Sequence, residues 1–149
     1  MSRDNLLKGR YSAANQVYHV TSCTKGRKPL FLEFSIARLL IEEITLAKAD
    51  GYVDNLAWVL MPDHLHWLFT LNDKAELSVI LKQVKARSSQ KINSYHGTSG
   101  SIWQRGFYDQ AIRHEEDIIK TARYIVANPL RAHIVDNIGY YPFWDAKWL

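Results

Sequence analysis

Two histidines stand one residue apart in the stretch Met61-Pro62-Asp63-His64-Leu65-His66-Trp67-Leu68-Phe69. Side chains alternate faces along a β-strand, so His64, His66 and Leu68 share one face while Leu65, Trp67 and Phe69 share the other. The second set reads as a core face. The first offers two imidazoles side by side at a strand's start, just after a Pro-Asp turn, where they could grip a metal ion that substrate still reaches. A half-buried pair that only makes hydrogen bonds is the alternative, and the His-x-His spacing alone does not choose between them.

A second group lies about sixty residues further on. Ile118, Ile119, Ala122, Ile125 and Val126 fall on one stripe of a helical wheel, and Tyr124 falls outside it. Asp117, Thr121, Tyr124 and Asn128 bunch on the opposite face, with Tyr124 and Asn128 one turn apart. An off-core tyrosine could simply cover a groove. Pro129 disfavours helical geometry in the residue before it, which puts Asn128 at or near the helix end. There its amide oxygen could complete a divalent-metal site beside the imidazoles, or Asn128 could serve as a C-terminal cap.

Charge supplies the third clue. Residues 77–108 contain Lys82, Lys85, Arg87, Lys91 and Arg105 and no Asp or Glu, so this segment carries +5 while the rest of the chain sums to −1. Such a stripe suits contact with phosphates, with a solvated basic helix face as the alternative.

The elements that must position these residues can be read in order. Val17-Tyr18-His19-Val20-Thr21 predicts a strand, followed by a Lys25-Gly26-Arg27 turn. Ser35 is a candidate N-cap for a helix carrying Ile36, Leu39, Leu40, Ile44 and Ala47, ended by Asp50-Gly51. A central strand follows from Val53 to Leu60, and Pro62-Asp63 turns it into an antiparallel His strand. Leu77, Ile80, Leu81, Val84 and Ile92 mark a second amphipathic helix, whose outer positions carry the basic stripe. The loop Gly97-Thr98-Ser99-Gly100-Ser101 leads to a strand expected around Trp103 to Ile112, and the acids Glu115, Glu116 and Asp117 open the last helix. The aromatic tail Tyr140 to Leu149 is expected to pack along the domain, with stacking on unpaired bases as the other option. Strands interspersed with helices and one tight hairpin predict an α+β, ferredoxin-like antiparallel sheet with helices packed on it.

At 149 residues and 47% hydrophobic content the chain is expected to form one domain, residues 1–149, with a real core. It contains no run of about 18 apolar residues, so a membrane role is not expected. Met1-Ser2-Arg3-Asp4-Asn5 lacks the pattern of a secretory signal, and the one cysteine, Cys23, reads as a small residue in a strand. A cytoplasmic location is expected.

His64-Leu65-His66 on a strand and Tyr124-Ile125-Val126-Ala127-Asn128-Pro129-Leu130-Arg131-Ala132 on a late helix resemble the single-tyrosine HUH transposases. Within them the chain looks most like the REP-associated tyrosine transposases. The phrases Val59-Leu60-Met61-Pro62-Asp63-His64 and Trp103-Gln104-Arg105-Gly106-Phe107-Tyr108-Asp109 carry the likeness too, and it covers residues 17–135. The resemblance implies a ferredoxin-like fold, His64 and His66 as paired ligands of a divalent metal (Mg²⁺ or Mn²⁺), Asn128 as third ligand and Tyr124 as nucleophile. Relatives often carry Gln where Asn128 stands, and Asn is one methylene shorter. The implied reaction is attack of the tyrosine on a phosphodiester of single-stranded or hairpin DNA, giving a 5′-phosphotyrosine that a 3′-hydroxyl can later reverse. Lys82, Lys85, Arg87, Lys91 and Arg105 are the expected DNA contacts. A homodimer stays open, as do a non-catalytic nucleic-acid-binding module and a metal phosphodiesterase that activates water.

Overall fold

The computed structural model describes residues 14–147. The opening Met1 to Asn5 stretch and Trp148 and Leu149 of the aromatic tail lie outside the described residues. Five strands, β1 (Val17–Cys23), β2 (Val53–Met61), β3 (His64–Leu71), β4 (Tyr108–Ile112) and β5 (Trp144–Ala146), form one sheet in the order β4-β1-β3-β2-β5. Every neighbouring pair is antiparallel. Among the described residues four α-helices accompany them: α1 (Phe34–Ala49), α2 (Leu77–His96), α3 (Glu115–Val126) and the single turn α4 (Asn128–Arg131). Because β1 and β2 both run antiparallel to β3, they are parallel to each other, and α1 is the crossover that such a pair needs. The first four strands thus have the expected ferredoxin-like arrangement.

Sheet register sets the two faces. Thr21 and Val59 flank His66, and Cys23 and Met61 flank His64, so these residues share the histidine face. Trp67 and Phe69 lie on the other face and are completely buried. Helix α3 sits on the histidine face, where the Tyr124 ring meets that of His66. The cover over Trp67 and Phe69 therefore comes from α1 and α2, which pack on one another. The histidine face is not open along its length, since Leu68 is as fully buried as Trp67. Only the end of the sheet next to the Pro62-Asp63 turn leaves His64 and His66 partly accessible.

Several boundaries differ from expectation. Helix α1 starts at Phe34, with Glu33 rather than Ser35 at the N-cap, because the Glu33 carbonyl already accepts from the Ile36 and Ala37 amides at 3.1 and 3.0 Å. The strand expected from Trp103 is regular only from Tyr108. Trp103 makes a lone bridge to Thr24 and turns its ring into the core beside Phe31, its indole N–H donating to Ser88 Oγ at 2.9 Å. From Tyr141 onward the described tail packs along the domain as expected, while Tyr140 is exposed, and the tail also supplies an unforeseen edge strand: β5 pairs with β2, Phe143 is buried, and the Tyr141 hydroxyl donates to the Leu60 carbonyl.

Candidate active site

Each histidine has one ring nitrogen engaged by the protein, which leaves the other to act. His64 Nδ1 lies 2.7 Å from Asp63 Oδ1, and Asp63 Oδ2 accepts from Arg27 Nε at 2.9 Å. Burial pushes the Asp63 carboxyl up, but the hydrogen bonds from His64 and Arg27, with their charges, outweigh it and hold the group below the ordinary carboxylate range. An ionised Asp63 fixes the His64 proton on Nδ1 and leaves the Nε2 lone pair exposed. His66 Nδ1 lies 3.0 Å from His19 Nε2 and 3.1 Å from Thr21 Oγ1, both on β1, so its Nε2 is likewise the nitrogen left over. The rings of His64 and His66 meet edge to face at 5.0 Å, and His19 is 5.1 Å from His66.

Burial also keeps His19 and His66 neutral. The His19 pKa is lowered to about 4 by burial. That of His66 is lowered to about 3, first by burial and then by the charges that His19, His64 and Arg131 place around it. A neutral imidazole is the form that ligates metal. Among the described residues no group of three or more His, Cys, Asp or Glu side chains is disposed to hold a metal ion.

Helix α3 brings Tyr124 to this face. Tyr124 is 53% exposed, off the apolar stripe as the wheel predicts, and its ring stands edge-on to His66 with centroids 6.4 Å apart. Ala127 closes α3, and the chain continues into α4 with Pro129 near its start, so Asn128 opens a further helical turn rather than ending the helical segment. The reason is local. Pro129 has no N–H for the Ile125 carbonyl, and Asn128 Nδ2 donates to that carbonyl instead, at 3.1 Å, and more weakly to that of Tyr124 at 3.4 Å. Asn128 is thus a helix cap as well as a candidate ligand, and with its amide nitrogen so engaged its Oδ1 is the free donor atom. Imidazole nitrogens and an amide oxygen are donor types that suit a divalent cation.

The expected DNA contacts occupy varied surroundings. Lys82 and Arg105 are exposed. Lys85 donates to the Gln104 and Gly106 carbonyls and lies 5.9 Å from the ring centroids of Trp103 and Phe107, bracing the segment before β4. Arg87 Nε and Lys91 Nζ meet the buried Glu43 carboxylate of α1 at 2.9 and 2.6 Å, and Lys91 also approaches Glu42 at 3.6 Å. These two charges join α1 to α2 on the layer opposite the histidines. Sequence reasoning missed His19, Thr21, Asp63, Arg27 and Arg131. A signal for the first two existed: His19 and Thr21 alternate with Tyr18 and Val20, as His64 and His66 do with Leu65 and Trp67.

Comparison with known proteins points to one family. A REP-associated tyrosine transposase of Escherichia coli (strain K12) is 27% identical over 107 residues, covering 71% of this chain and 62% of that protein. The chain spans about three-fifths of the length of the curated relatives it matches, 62% and 57% for two of them. The solved structure of a REP-associated tyrosine transposase bound to a REP hairpin superposes with a TM-score of 0.78 at 25% identity, over 91% of this chain and 79% of that one. The family model described as "Transposase IS200 like" matches residues 12–128, a span that takes in both histidines, Tyr124 and Asn128, and the chain belongs to that family.

Proposed function

We propose that this protein is a metal-dependent, single-tyrosine DNA strand transferase, formed as one domain over residues 1–149 and working in the cytoplasm on single-stranded or hairpin DNA. The meeting of Tyr124 with His66 in a single chain, beside two imidazoles whose Nε2 atoms are left free, is the observation that carries this reading. The hairpin held by the solved relative supports the choice of DNA.

His64 and His66 through Nε2, and Asn128 through Oδ1, would hold Mg²⁺ or Mn²⁺. The bound cation supplies Lewis-acid polarisation of a non-bridging phosphate oxygen. Tyr124 attacks phosphorus, its Oη–P bond forming as the P–O3′ bond breaks, to give a 5′-phosphotyrosine and a free 3′-hydroxyl. That link conserves the phosphodiester's bond energy, so a second 3′-hydroxyl can reverse the step and join strands. Asp63, with His19 and Thr21, keeps the two imidazoles in the required tautomers. Among the proposed phosphate contacts, Lys82 and Arg105 carry most of the interaction. Lys85, Arg87 and Lys91 contribute the charge left over from their internal partners. Tyr124 serves its own subunit's histidines, whether the protein is a monomer or a homodimer.

A labelled hairpin oligonucleotide incubated with protein and Mn²⁺ and run on a denaturing gel tests the reading. A slow-migrating covalent adduct is expected. Free cleavage products alone would indicate a phosphodiesterase using water, and intact DNA bound only under native conditions would indicate a binding module.

A further inference from the structure

Arg131, the last residue of α4, has a placement that the proposed chemistry has not used. Its guanidinium carbon lies 3.8 Å from the centroid of the Tyr124 ring, and its Nη2 donates to the Tyr124 carbonyl at 2.8 Å. One residue thus holds the tyrosine's ring and its backbone together. Arg131 is exposed and, among the described residues, has no carboxylate partner. Arg27, Arg87 and Lys91, by contrast, are paired with carboxylates. This cation therefore stands directly over the ring of the nucleophile.

A planar guanidinium has five N–H donors in a fork that matches two phosphate oxygens. Only one is spent on the Tyr124 carbonyl. We propose that Arg131 is a catalytic residue: stacked on Tyr124, it binds the non-bridging oxygens of the phosphate that Tyr124 attacks and holds the phenol in line with it. This inference rests on the function proposed above. In the step concerned the Tyr124 Oη–P bond forms and the P–O3′ bond breaks. The phenol proton is released to water, the 3′-oxygen leaves with the bonding pair and takes up a proton, and Arg131 keeps its charge throughout. Its contribution grows as charge builds on the phosphoryl oxygens, which is the condition for accelerating the reaction rather than only tightening binding.

The test measures single-turnover adduct formation with Mn²⁺ at saturating hairpin DNA, so that changes in affinity drop out. Arg131→Gln should slow the step about 100-fold, the scale of losing one preorganised donor. Arg131→Lys, which keeps the charge but lacks the plane and the fork, should recover only part of the rate. Methylguanidinium added to Arg131→Ala should restore activity in a saturable way, which a merely structural arginine would not allow. A wild-type adduct accompanied by an Arg131→Gln rate within about threefold of it, or no response of Arg131→Ala to methylguanidinium, would overturn the assignment of Arg131 alone. Failure of the wild-type protein to form any adduct would overturn this assignment and the proposed function together.

Discussion

Replacing Asp63 by Ala isolates the contribution of a single carboxylate to the candidate metal site. Asp63 Oδ1 is 2.7 Å from His64 Nδ1, and the carboxyl is held ionised by His64 and Arg27 against the pull of burial. Its loss frees the His64 ring to rotate and to change tautomer. Removing such an outer partner of a metal-bound imidazole weakens metal binding about 10–100-fold, equivalent to about 1.4–2.7 kcal/mol. Stability should suffer far less. The Arg27 and Asp63 side chains are 56% and 26% exposed, and so open a pair contributes at most about 1 kcal/mol. In a domain of this size that corresponds to a melting shift of about 2–4 °C. Calorimetric titration of Mn²⁺ into the DNA-free protein, paired with a thermal melt, reads both quantities. Asp63→Asn should fall between wild type and Asp63→Ala, since its amide oxygen still accepts from His64 Nδ1 without the charge. Unchanged Mn²⁺ affinity in a folded Asp63→Ala protein would refute the role given to the carboxylate.

The neutral histidines imply a pH dependence of stability. Folded values of about 4 for His19 and about 3 for His66 lie below the 6.5 of an unfolded chain, so on acidification the unfolded state takes up protons first. Their contribution is complete above pH 6.5 and is lost as pH falls, at about 1.4 kcal/mol per unit for each. Urea unfolding of the metal-free protein should show up to about 4 kcal/mol less stability from this pair at pH 5 than at pH 7. His19→Gln should remove about half of that fall, and a fall of equal size in His19→Gln would contradict the assignment. Imidazole ligands favour first-row transition ions, so Mn²⁺ should support cleavage at least as well as Mg²⁺ after EDTA treatment; activity with Mg²⁺ and none with Mn²⁺ would count against the ligand set. Replacing Lys82 and Arg105 together by Ala should flatten the plot of log affinity against log salt by about one to two units. Arg87→Ala should instead act through stability, costing about 2 kcal/mol, because it withdraws one of the two cations at the buried Glu43.

Residues governed by local periodicity were legible in the sequence, and those governed by long-range pairing were not. Alternation along β3 separates His64 and His66 from Leu65 and Trp67, and the wheel of α3 sets Tyr124 apart from Ile125 and Val126. The hairpin at Pro62-Asp63 and the α+β order follow from turn chemistry and element sequence. His19 and Thr21 carry the right alternation, yet their contact with His66 exists only in the observed β1–β3 register, and a slip of one residue would turn both to the other face. The basic stripe looked uniform because Glu42 and Glu43 lie 44 to 49 residues before their partners and meet them only when α1 packs on α2. β5 escaped for another reason. Three residues make too short a run to signal a strand, and this one forms because β2 offers an edge while Tyr141 and Phe143 are buried against the core.

Mass spectrometry of the protein after reaction with hairpin DNA and Mn²⁺ tests the central claim most directly. A tryptic peptide from α3 bearing a nucleotide on Tyr124 is predicted, together with loss of every covalent adduct in Tyr124→Phe. An adduct mapped to another residue, or one that persists in Tyr124→Phe, would contradict the account.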